Sequence, residues 1–164
     1  MSYSDALLSS TFLAACLAAG VNAWSIWRTS RERERDRLRN TLAEAYRAYS
    51  DYKEFPYAIR RRRADNIADE RQRLAGELRE MQSRLSYYRV WLMAESCDMG
   101  EIYSELLNQL RKVAGDSMRS AWLEDALDSD ADMNIGAERV DLHELKSYED
   151  AFMEAIRGRV RVRD

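Results

Sequence analysis

The chain opens on an uncharged run and continues as a series of helical patterns. From Ala6 to Trp27 there are 22 residues without a formal charge. As an α-helix such a run spans about 30 Å, the thickness of a bilayer's hydrocarbon core. Trp24 and Trp27 stand where an interfacial aromatic belt would lie, with Tyr3 at the opposite end. The pattern therefore predicts an N-terminal segment and transmembrane anchor over residues 1–27. Ser9, Ser10, Thr11, Asn22 and Ser25 dilute it, so a buried helix of a soluble bundle is the competing reading. A cleaved signal peptide needs a basic segment ahead of its apolar stretch, and Met1 to Asp5 has no basic side chain, although Val21-Asn22-Ala23 resembles a cleavage site. Ala15, Ala19 and Ala23 recur every four positions, a spacing that lets two helices approach closely.

Beyond the run the apolar positions repeat at helical intervals. Leu38, Leu42, Tyr46, Tyr49 and Tyr52 lie on one face of a helix that continues out of the anchor. Pro56 is expected to end it, because proline disfavours helical geometry in Phe55 and lacks the amide a continuing helix uses. The next helix carries a heptad seam of Ile67, Leu74, Leu78, Met81, Leu85, Tyr88 and Leu92, with Arg71 as its one polar position. A seam of that kind predicts pairing with another helix, either the preceding one folded back or a second copy of the chain. Near Gly100 the pattern loosens, and Asp98 with Glu101 suggests a new helix start. Ile102, Leu106, Leu110, Val113, Ala114, Met118 and Trp122 form the next face, with Gly115 in its interior. Asp141 and Glu144 then precede a final amphipathic stretch that should run to about Gly158.

The fold class that follows is all-α: a single transmembrane helix continuing into an antiparallel helical hairpin or bundle with coiled-coil character, the bundle occupying residues 28–164. Six glycines, one proline and 34% charged residues agree with long helices. Net charge is −3, but the sign is unevenly spread. Residues 28–63 carry a net +6, and residues 64–127 and 128–164 carry −4 each. By the positive-inside rule, the arginines that begin at Arg28 put the N-terminus outside and the C-terminal domain in the cytoplasm, at the cell membrane. Cys16 and Cys97 fall on opposite sides of that boundary, so no structural disulfide is expected.

Candidate chemistry is sparse. Arg60, Arg61, Arg62 and Arg63 form the densest charge run and can grip an anion or an acidic partner surface, against the plainer reading of a solvated helix end. Arg28, Arg31, Arg33 and Arg35 adjoin the expected interface and can attract anionic lipid, although Glu32, Glu34 and Asp36 offset them. Asp128, Asp130, Asp132 and Asn134 resemble a calcium loop only loosely, because Met133 takes the turn glycine's place and Arg139 that of the closing glutamate. His143 is the lone histidine, with no HExxH or clustered cysteines near it, and no phosphate-binding glycine loop is present. No catalytic, cofactor or metal residue is therefore assigned, and nucleic acid is disfavoured by an acidic chain without a sustained basic face.

The sequence leads to a membrane-anchored helical scaffold or adaptor, homo-oligomeric, that recruits a protein partner at the cytoplasmic face and touches lipid through its N-terminal helix. This layout is similar to that of bitopic bacterial scaffold proteins, without a motif that carries a family name. Two alternatives remain: a membrane-anchored sensor or effector subunit of a signalling or defence system, and, with inverted topology, a phage spanin-like protein.

Overall fold

A computed structural model describes residues 3–126 and 140–162, with side chains described for residues 17–126 and 140–159. Among the described residues the fold has four α-helices and no strand: α1 (Tyr3–Arg60), α2 (Ile67–Glu95), α3 (Cys97–Leu123) and α4 (Lys146–Val162), the last entered through a single 3-10 turn, His143–Leu145. The chain divides into two compact units, Met1–Asn40 and Thr41–Asp164.

The expected transmembrane helix is not found. Among the described residues no helix is long and apolar enough to cross a membrane. Eleven residues with described side chains precede Arg28 in α1, from Leu17 to Trp27, and they include Gly20, Asn22 and Ser25. They rise only about 16 Å along the helix axis, roughly half a hydrocarbon core. The side chains of the other half of the expected span, up to Cys16, lie outside the described residues. With the span go the predicted cell-membrane location, the outside–inside orientation and the lipid contact of the N-terminal helix.

The second unit is a four-helix bundle whose directions can be read from its contacts. Asp51 of α1 pairs with Arg84 of α2 at 3.0 Å, while the α1 carbonyl of Ala45 accepts from the Tyr103 hydroxyl of α3 at 3.0 Å. Near the other end Arg62, just past α1, reaches the Ala121 carbonyl late in α3 at 2.8 Å. Helices α1 and α3 are therefore parallel, with α2 antiparallel between them in sequence. Tyr103 packs on Phe152 with ring centres 5.1 Å apart, and Gln109 donates to Glu144 at 3.0 Å, which sets α4 antiparallel to α3. The heptad positions of α2 are used within the chain: Leu74, Met81, Leu85 and Leu92 are buried, Leu78 and Tyr88 are half-buried, and Ile67 is exposed. Each fully buried leucine contributes about 1.5–3 kcal/mol of apolar burial.

Several boundaries differ from the sequence expectation. Pro56 lies inside α1, which runs on to Arg60. Its missing amide and its ring cost a helix interior about 3 kcal/mol, but Pro56 is fully buried between the buried side chains of Tyr52, Phe55 and Ile59. That packing offsets the lost hydrogen bond. The break between the second and third helices falls at Ser96, in extended conformation, and no side chain caps α3 there; Asp98 and Glu101 both lie within the helix. Gly100 makes the corner possible, because a Cβ at that position would lie 2.5 Å from the Met93 Cα. At the last helix Asp141 accepts from the His143 amide at 3.0 Å, while Glu144 turns to Gln109 rather than back to a cap. Helix α4 passes Gly158 and ends at Val162.

Candidate functional site

The first unit, taken by itself, presents apolar side chains to solvent. Leu17 (70% exposed), Val21 (63%), Trp24 (57%), Ile26 (68%) and Trp27 (52%) all lie on α1. Leu17, Val21 and Trp24 follow at intervals of four and three, so they share a helix face. The arginines behind them lean on the indoles. The Arg28 guanidinium lies 5.6 Å from the Trp24 ring centre and that of Arg31 lies 4.0 Å from the Trp27 ring centre. Arg28 also pairs with Glu32 at 3.0 Å, and Arg37 with Glu34 at 3.6 Å. Arg33 is exposed and Arg35 half-buried. These are contacts within one helix, each worth only a few tenths of a kcal/mol to about 1 kcal/mol at an exposed site.

In the second unit the run from Arg60 to Arg63 divides by role. Arg60 and Arg62 are buried, whereas Arg61 and Arg63 are exposed. Arg60 pairs with the Glu124 carboxylate. Arg62 donates to the Ile59 carbonyl at 3.0 Å, to the Ala121 carbonyl at 2.8 Å and to the Glu124 carbonyl, and its guanidinium lies 5.0 Å from the Trp122 ring centre. These carbonyls close the ends of two parallel helices, where backbone acceptors lack helical partners and both dipoles are negative. Arg63 pairs with Asp65, 3.0 Å from its Nε. Half of the run thus holds α1 and α3 together instead of facing outward.

A smaller polar cluster joins α1 to α4. Tyr49 donates to Glu149 Oε1 at 2.8 Å, and Lys53 Nζ donates to the same oxygen at 2.7 Å. Burial alone pushes the Glu149 carboxyl up, but the hydrogen bonds from Lys53 and Tyr49 outweigh it and hold the group below its ordinary value. Burial, with Glu149 beside it, raises the Tyr49 phenol far above its ordinary range, and burial likewise raises Tyr103. A neutral phenol is what this arrangement needs, since only the protonated oxygen can donate. The cluster is a structural clasp between two helices.

Other candidates resolve simply. His143 is exposed beside Asp141, and Cys97 is exposed at the start of α3. Among the described residues no group of His, Cys, Asp and Glu could hold a metal ion. The loose calcium-loop residues Asp128 to Asn134 lie outside the described residues. Of the C-terminal arginines, Arg159 is half-buried against Glu95 and Arg157 pairs with Glu154 at 3.6 Å. Sequence reasoning missed the Tyr49–Lys53–Glu149 cluster and the Arg62 clamp, since both join residues far apart in the chain and leave no local spacing to read. No family model, curated protein or solved structure matches the chain.

Proposed function

We propose that this protein is a self-associating helical adaptor, whose exposed stretch of α1 from Leu17 to Trp27 pairs with the same stretch of a second copy and thereby brings two four-helix units together. The observation that carries this is the apolar face of Leu17, Val21 and Trp24, each more than half exposed. An uncovered row of that kind favours burial by about 25 cal/mol for each Å² removed from water. A second copy fits the charges that follow. Arg31, Glu32, Arg33, Glu34, Arg35, Asp36 and Arg37 are of both signs, so a partner of one sign would leave part of them opposed, whereas a second copy can set arginine against carboxylate. Within the bundle the buried Arg60 and Arg62 are spent on helix-to-helix contacts, which suits a module that holds its shape while its exposed face binds.

Sedimentation of the full chain at micromolar concentration tests this. A dimer or higher oligomer is expected, reverting to monomer in Val21→Glu/Trp24→Glu with helical circular dichroism retained. A wild-type monomer, or an oligomer indifferent to that double change, would sink the reading.

A further inference from the structure

Arg71 is the polar residue that interrupts the heptad pattern of α2, and the fold puts it at the rim of an apolar cavity. The cavity measures about 580 Å³ and lies among α1, α2 and α3 of the second unit, with walls that include Phe55, Ile59, Leu74, Met118 and Trp122. Among the described residues no acidic side chain lines it. That volume falls in the range of small-molecule sites, and an apolar wall with one placed charge is their usual chemistry. The lining spans about two helical turns on each helix, roughly 10 Å along the bundle, which suits a short aliphatic chain better than a partner helix with anchors over several turns.

The charge selects the head group. The Arg71 guanidinium stands 5.9 Å from the Trp122 ring centre and pairs with no carboxylate among the described residues. Arg62, on the adjoining hollow, is already consumed by three carbonyls; of the two acids there, Glu124 is engaged by Arg60, and Asp125 pairs with no cation among the described residues. Arg71 is thus the cation at the rim with donors to give, and guanidinium matches carboxylate in bidentate geometry. We propose that the cavity binds a medium-chain carboxylate, its aliphatic tail between the three helices and its head group on Arg71.

Gly115 supplies a clean control. It lines the cavity, and a Cβ built there meets nothing within 4 Å, so a side chain added at this position starts in open space. Calorimetric titration of the full chain with decanoate and with decanol tests the proposal. Decanoate should bind the wild type and bind Arg71→Gln about tenfold more weakly or worse. Decanol should bind the wild type more weakly than decanoate and be indifferent to Arg71→Gln. Gly115→Leu should bind neither while melting no lower than the wild type. The proposal is overturned if the wild type takes up no decanoate below millimolar concentration. It is equally overturned if decanol binds as tightly, or if either variant binds decanoate as the wild type does.

Discussion

Arg62 and Trp122 stack, with the guanidinium 5.0 Å from the ring centre, while the same guanidinium donates to the Ala121 carbonyl at 2.8 Å. The side chain therefore satisfies the end of α3 and is held in place by the ring of the residue that follows. Arg62→Ala is expected to lower unfolding free energy by about 2–4 kcal/mol, since it uncovers buried carbonyls as well as removing the stacked contact. Arg62→Lys should recover less than half of that loss, because an ammonium cannot serve several acceptors and stack at once. Urea titration of both variants checks the order, and a lysine variant as stable as wild type would contradict it.

Two glycines should respond in opposite directions. Gly100→Ala forces a Cβ to within 2.5 Å of the Met93 backbone at the α2–α3 corner, where neither helix can shift without unpacking its neighbours. A loss of at least about 2 kcal/mol is expected. Gly115→Ala meets open space inside α3 and should raise stability by up to about 1 kcal/mol. Thermal melts of the pair give the comparison directly.

The heptad of α2 separates what spacing can and cannot tell. Leu85→Ala, at a fully buried position, should cost about 2–5 kcal/mol, while Ile67→Ala, at 54% exposure, should change stability by no more than about 0.5 kcal/mol. Both residues fit the same repeat. Chemical denaturation that showed equal losses would mean that Ile67 is covered in solution.

Leu85 and Ile67 mark the limit of what is legible in the chain. Helical periodicity is a local property, so the faces holding Leu42, Tyr49, Leu85 and Leu110 can be read from spacing, as can the all-α class. The passage of α1 through Pro56 cannot, because it depends on Phe55 and Ile59 finding partners in other helices. Nor can the partition of four adjacent arginines: Arg60 and Arg62 turn inward only because Glu124 and the end of α3 are there to receive them. The expected membrane anchor fails for a different reason. Lack of charge is not the same as hydrophobicity, and Gly20, Asn22 and Ser25 interrupt the described part of the run.

Stability should fall at both ends of the pH scale, and the two limbs belong to one cluster. A group whose folded pKa lies below its unfolded value contributes stability above that unfolded value and loses it as the pH falls toward the folded one. Glu149, lowered from 4.5 by its bonds from Lys53 and Tyr49 against the opposing effect of burial, should therefore lose its contribution on acidification below about pH 4.5. Tyr49 runs the other way. Burial and then Glu149 raise its phenol above the ordinary 10.0, so its contribution is intact below pH 10 and is lost as the unfolded chain ionises above that value. Glu149→Gln should cost about 1–2 kcal/mol at neutral pH, flatten the acid limb and also lessen the steepness of the alkaline one, because the neutral amide no longer repels a phenolate. Tyr49→Phe should flatten the alkaline limb while leaving most of the acid limb, which the Lys53 pair still supports. Denaturation midpoints measured from about pH 3 to about pH 11 decide between this coupling and two unrelated groups, for which each variant would alter a single limb.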